Sequence, residues 1–223
     1  MEHIRFSAAG RRVEAFAPAD PAGCPVVYTH FSEDEGAAAA ALLEGVPVVL
    51  VSAEVDWNND LSPWPAPRAY RGGAAFGGGA PAYLRQLTGE ILPRAEAELG
   101  LVPPWRGIAG YSMAGLFALY ALFAADLFSR AASMSGSLWY DGFAEYLEGR
   151  RPPRLPGRVY LSLGEKESLS RSPRLAAVGS CTRRAAALFE GWGVDCRFES
   201  SPGGHFDDVA RRTAAGIGWI ARP

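Results

Sequence analysis

Lysine is almost missing from this 223-residue chain: Lys166 stands alone among 22 basic residues, and the rest are arginine. Beside so many alanines this bias fits a GC-rich coding sequence, and it carries no functional weight. Cysteine is scarce too. Cys24, Cys181 and Cys196 are odd in number and widely spaced, which excludes a disulfide framework and a zinc pattern and leaves them as packing residues. Charge of one sign is lacking: the formal net charge is -2, the pI is near 6.0, and no basic stripe occurs. Nucleic acid and anionic membranes are therefore not expected partners, because both select clustered positive charge. Long apolar runs are absent as well. The longest apolar-rich window, Leu116 to Ala125, falls short of the ~20 residues of a membrane span. The opening MEHIRF has no charged segment followed by an apolar stretch, so a soluble, cytoplasmic protein is expected. Histidine occurs only at positions 3, 30 and 205, without metal-ligand spacing, and neither a metal nor another cofactor is expected.

What is present reads as one α/β domain over residues 1–223. Ile4 to Phe6 and Val13 to Phe16 alternate apolar and polar residues around a Gly10-Arg11 turn, as an antiparallel hairpin does. The pattern then changes. Pro25 to Thr29 and Val46 to Val51 are continuous apolar runs bracketing an alanine-rich helical stretch, the signature of parallel strands buried on both faces. Ala53 to Pro81 is rich in Pro, Gly and Trp and has no period of 2 or 3.6, so it is a long structured loop. Tyr83 to Leu99 is helical, with Pro93 expected to kink or divide it. Strands follow at Arg106 to Tyr111, Arg130 to Met134, Arg158 to Leu163 and Val194 to Glu199. Helices are expected over Met113 to Ala125, Pro173 to Glu190 and Phe206 to Ile220. A mostly parallel sheet with helices on both faces is the economical solution.

The informative segment is Gly110-Tyr111-Ser112-Met113-Ala114-Gly115, where a buried strand turns directly into an apolar helix. A nucleophile elbow needs this arrangement. The serine sits in a strained strand-to-helix turn, and the positions two before and two after it must be small because two backbones crowd there. Taken alone the pattern is weak in a chain so rich in Gly, Ala and Ser, and a small-residue helix cap is the bland alternative. Its context is more specific. The strand ending at Leu163 runs into Gly164-Glu165-Lys166-Glu167, and the strand ending at Glu199 leads to Gly203-Gly204-His205-Phe206. This is the order Ser, acid, His of an α/β-hydrolase fold, each group on a loop past the carboxyl end of a strand.

A serine hydroxyl is a poor nucleophile at neutral pH, so it needs an imidazole as base, and the imidazole needs a carboxylate to fix its tautomer. Ser112 and His205 fill the first two roles. His3 precedes the serine on an edge strand, and His30 falls at the sheet end as pocket wall. Glu167 has the usual Gly-x-x-acid spacing after its strand and is favoured over Glu165. The developing oxyanion requires backbone donors, here the amide of Met113 at the helix start and that of Phe31, with Ser32 as the adjacent alternative.

These residues resemble the putative-esterase branch of the α/β hydrolases, the group of esterase D, siderophore esterases and feruloyl-type esterases. The resemblance is carried by Gly110 to Tyr120, by Ser133-Met134-Ser135-Gly136-Ser137-Leu138-Trp139-Tyr140 and by Gly204-His205, and with the strand order it covers nearly the whole chain. It implies a serine esterase or related hydrolase acting on a small-molecule ester, and by its length the sequence looks like a minimal member with no large cap domain. Ala114 in place of glycine and a glutamate where many relatives carry aspartate are its departures. Trp57, Trp64, Trp139 and Tyr111, with His30, are expected around the substrate, where rings would suit an aryl or sugar group or else staple a long loop. Gly72 to Gly79 lacks the spacing of a phosphate loop. Acyl transfer or thioester cleavage on the same residues, and a non-catalytic binding scaffold, are the rival readings. Nothing in the sequence speaks to oligomeric state.

Overall fold

Two successive residues with positive φ, Ala9 at 53° and Gly10 at 75°, close the first hairpin. Such a pair twists with the flanking strands, which sets the turn at Ala9-Gly10, one residue before the expected Gly10-Arg11. The computed structural model describes residues 1–31 and 34–222. Strands β1 (Glu2–Ala8) and β2 (Arg11–Ala17) are antiparallel, and β2 pairs antiparallel with β4 (Val49–Ala53). From β4 the sheet continues parallel through β3 (Val26–Thr29), β7 (Arg106–Tyr111), β8 (Arg130–Met134), β9 (Arg158–Gly164) and β10 (Asp195–Ser201). The order is β1-β2-β4-β3-β7-β8-β9-β10. The chain winds outward from β3 to β4, then returns to place β7 on the other side of β3. That reversal opens a crevice at the carboxyl ends of β3 and β7, where open α/β sheets hold their ligands. The short ribbon of β5 (Pro65–Ala66) and β6 (Phe76–Gly77) lies within the Ala53 to Pro81 loop.

Alternate residues of each strand feed two apolar layers. Val49, Val51, Ile108, Ala131 and Leu161 face the larger one, which also takes up α2 (Ala80–Gln86), α3 (Leu92–Glu98), α4 (Met113–Ala124), α5 (Phe143–Glu148) and α7 (Val178–Gly191). Leu50, Ala109, Met134 and Tyr160 face the other, where α8 (Val209–Ala221) packs beside α1 (Glu35–Leu42). The four-residue α6 (Pro173–Ala176) precedes α7. Pro93 divides its helix as expected. A single π turn over Leu87–Ile91 joins α2 to α3, because proline lacks the N–H and its ring clashes one turn back. Helix α4 is apolar on every side, and all of Met113 to Phe123 is buried; such a helix belongs inside a protein. Among the described residues no helix is long and apolar enough to cross a membrane.

Candidate active site

Ser112 joins β7 to α4 with φ 56° and ψ -119°, a conformation that non-glycine residues hold only when their surroundings enforce it. The enforcement is visible on both sides of it. Its amide donates to the Met134 carbonyl at 3.0 Å, and its carbonyl accepts from Ser137 N–H at 2.9 Å and Leu116 N–H at 3.1 Å. A β-carbon on Gly110 would lie 2.4 Å from the Ala114 carbonyl carbon and 2.5 Å from its methyl. Strand and helix are thus in contact at these two positions. The methyl of Ala114 fits because glycine is opposite, which accounts for the departure from the Gly-x-Ser-x-Gly pattern. The backbone turn drives the Ser112 hydroxyl out of the sheet's end, and the Met113 amide opens α4 beside it, at the positive end of the helix dipole.

Two loops deliver the other groups. After β9 the chain makes a short 3₁₀ turn over Glu167–Leu169, and after β10 the turn Gly203-Gly204 presents His205. Gly164 permits their approach: a β-carbon there would lie 2.7 Å from the Gly203 carbonyl oxygen. The amides of Glu165 and Lys166 donate to Ser201 and Gly203, tying the loops together. Asp207 accepts from the Gly204 amide at 2.7 Å, and Asp208 is left-handed, so α8 begins at Val209 rather than at Phe206. His205 Nε2 stands 3.0 Å from Ser112 Oγ, and Nδ1 stands 2.7 Å from Glu167 Oε2. The other carboxylate oxygen, Oε1, accepts from Ser135 Oγ at 2.5 Å, the Gly164 amide at 2.7 Å and Arg212 Nη2 at 3.2 Å. Burial pushes the Glu167 carboxyl up, but hydrogen bonds from His205, Ser135 and Gly164 outweigh it and bring the pKa down to about 2. The carboxylate is ionised at neutral pH. It therefore accepts a hydrogen bond from His205 Nδ1–H, which leaves the Nε2 lone pair toward the serine. The Glu165 side chain is exposed and has no part in this chain of contacts.

Several expected site residues lie elsewhere. The Phe31 amide donates to Ser52 Oγ at 3.1 Å, so it is not aimed at an oxyanion, and Ser32 is outside the described residues. Trp57 shares with Phe31 a separate cleft beside Arg12 and Glu54. Trp64 packs on Tyr140, Phe143 and Tyr146 and donates its indole N–H to the Asp141 carbonyl, stapling the long loop to the core. Tyr111 supports rather than lines: its hydroxyl donates to the His205 carbonyl at 2.7 Å. Only Trp139 of the five lines the cavity at Ser112. Phe76, in the long loop expected at that sheet edge, lines it too, whereas Tyr70, Leu175, Val178 and Phe206 are not among the residues expected around the substrate. Ser135 lies in the Ser133 to Tyr140 segment, where nothing local marks its contact with Glu167. Nothing local marks Arg212 among the arginines, because His205 precedes α8 and the two share no helical face.

His30 is a core residue, not pocket wall. It is 2% exposed, Nε2 is 2.8 Å from the Tyr83 hydroxyl, and its ring meets Tyr83 and Phe117 edge-on. Burial lowers its pKa to about 3. In the unfolded chain the same group binds a proton near pH 6.5, so between these values the unfolded state holds more protons, and stability falls as pH drops. Urea denaturation is expected to show this loss below pH 6.5, with His30 contributing up to about 1.4 kcal/mol per pH unit. The His30→Gln variant should flatten that dependence between pH 6.5 and the onset of carboxylate titration. An unchanged slope would mean that His30 does not carry it.

The cavity around Ser112 has a volume of about 550 Å³ and is walled by Phe76, Trp139, Leu175, Val178 and Phe206, with Tyr70 at its edge. Tyr70 and Phe206 are strongly exposed. Among the described residues no three His, Cys, Asp or Glu side chains gather as metal ligands would.

The sheet order, the antiparallel first hairpin and the elbow define an α/β-hydrolase. The chain belongs to the family described as "Putative esterase", which it matches over residues 23–207, and it is an ester-hydrolysing enzyme. It is 29% identical over 175 residues to the uncharacterized protein YbbA of Bacillus subtilis, covering 72% of this chain and 70% of that one. Among solved structures it is similar to the siderophore hydrolase EstA of Aspergillus nidulans, with TM-score 0.75 and 16% identity over 99% of this chain and 93% of that one. It is also similar to the enterobactin and salmochelin hydrolase IroE, with TM-score 0.70 and 21% identity over 100% of this chain and 95% of that one. At these identities the structural likenesses speak for the fold.

Proposed function

We propose that the protein cleaves carboxylic esters through a covalent acyl-enzyme on Ser112. The reading is carried by the continuous path Ser112 Oγ, His205 Nε2, His205 Nδ1, Glu167 Oε2, with its two gaps of 3.0 and 2.7 Å. Oγ attacks the ester carbonyl while Nε2 accepts the hydroxyl proton, and the Glu167 carboxylate stabilises the imidazolium that forms. The Met113 amide donates to the oxyanion. Collapse breaks the bond to the alkoxy oxygen, which leaves as the alcohol with the proton from His205. Water then repeats the sequence on the acyl-enzyme, releasing the acid and restoring Ser112. The ring-lined cavity supports an ester with an apolar or aromatic group.

A structure of IroE in complex with DFP makes a fluorophosphonate the natural probe. Incubation at pH 8 is expected to add one phosphonyl group per chain, mapped by peptide mass spectrometry to Ser112 and absent in Ser112→Ala. Labelling at another residue, or none on folded protein, overturns the reading.

A further inference from the structure

We propose that Arg212 is a positioning residue for the reaction, a single rigid group that fixes the acid and the histidine turn against each other; this rests on the serine mechanism above. Arg212 lies in α8, seven residues past His205, and its side chain is 6% exposed. Its two terminal nitrogens face different loops. Nη2 donates to Glu167 Oε1 at 3.2 Å and to Ser135 Oγ, which itself donates to Oε1. Nη1 donates to the Gly204 carbonyl at 3.2 Å and to the Tyr111 hydroxyl at 2.6 Å, and that hydroxyl donates to the His205 carbonyl. One end of the guanidinium therefore holds the carboxylate, and the other holds the peptide units on both sides of the His205 α-carbon, one directly and one through Tyr111.

The chemistry explains why the group is an arginine. Glu167 and His205 come from loops after different strands, and nothing in their sequence separation fixes the contact between them. A guanidinium is planar and rigid and can donate in two directions at once, whereas an ammonium is a point charge on a flexible stem. By engaging Oε1, Arg212 also helps turn Oε2 toward Nδ1. Its Nε–H has no partner among the described residues, so the side chain is not placed to satisfy all its own donors. A displacement of about 1 Å in such a constellation costs about 10²-fold in rate.

The test compares wild type with Arg212→Met, Arg212→Gln and Arg212→Lys. Four readings are taken: near-ultraviolet circular dichroism for folding, steady-state hydrolysis of p-nitrophenyl acetate, the rate of fluorophosphonate labelling, and the far-downfield proton resonance of His205 Nδ1–H. The neutral variants are expected to fold and to lose about 10²-fold in kcat and in labelling rate while KM moves less than about threefold. Their downfield resonance should broaden away. The lysine variant should recover part of both, settling about tenfold below wild type. A folded neutral variant that keeps the resonance overturns the assignment, whatever its rate, as does a kcat within about twofold of wild type. If Met and Gln prevent folding, the lysine variant decides by the same two readings. The two readings of the site fail differently. Wild-type enzyme that is not labelled at Ser112 defeats the serine mechanism, whereas normal Ser112 labelling in both wild type and Arg212→Met defeats only the role of Arg212.

Discussion

Ser112→Ala is expected to lower kcat for p-nitrophenyl acetate by about 10⁴-fold or more while KM changes little, because every covalent step passes through the missing oxygen. The variant should fold. The positive φ of 56° is imposed by β7 and α4 and by hydrogen bonds to the backbone of residue 112, none of which uses the hydroxyl. Alanine is strained there about as much as serine is. What remains is hydrolysis assisted by the Met113 amide and by substrate binding, and a stopped assay with freshly purified variant separates it from contaminating wild type. Turnover above about 1% of wild type would remove Ser112 from the reaction.

Glu167→Gln is expected to cost about 10³ to 10⁴-fold in kcat, and the reason lies in the oxygen that His205 does not use. Oε1 is surrounded by donors from Ser135, Gly164 and Arg212. A glutamine must turn its carbonyl toward them, which points its NH₂ at His205 Nδ1. The imidazole then has to accept at Nδ1 and carry its proton on Nε2, so it can no longer take the serine proton. Glu165→Gln, two residues away and exposed, should stay within about twofold of wild type. Equal losses in the two variants would defeat this account of the acid.

The parts of this architecture that follow a period were legible in the sequence. Strands β7 and β8 have the bounds that their apolar runs imply, and Ser112, Glu167 and His205, read from chain order and loop position, are groups the fold brings within hydrogen-bonding distance. Chain order works because each loop past a parallel strand must open on the same sheet edge. Side-chain direction within an aperiodic loop has no such rule. Trp57 and Trp64 sit in the long Pro- and Gly-rich loop, and only tertiary packing turns one into a separate cleft and the other onto Tyr146. His30 follows β3 at the sheet end but faces inward, because the Tyr83 hydroxyl offers a buried partner 53 residues away. The Phe31 amide is taken by Ser52, a contact that no local pattern encodes. Helix α5 is only six residues long, too short to show its period.

The wholly enclosed helix behind Ser112 separates the fates of machinery and recognition. Tyr70, Leu175 and Phe206 project from short surface segments that contribute little to the interior. Exchanging exposed side chains of this kind carries a small thermodynamic expense. The Ser112 hydroxyl, by contrast, is anchored to a helix buried on every side, where a change of side chain is felt by the whole interior.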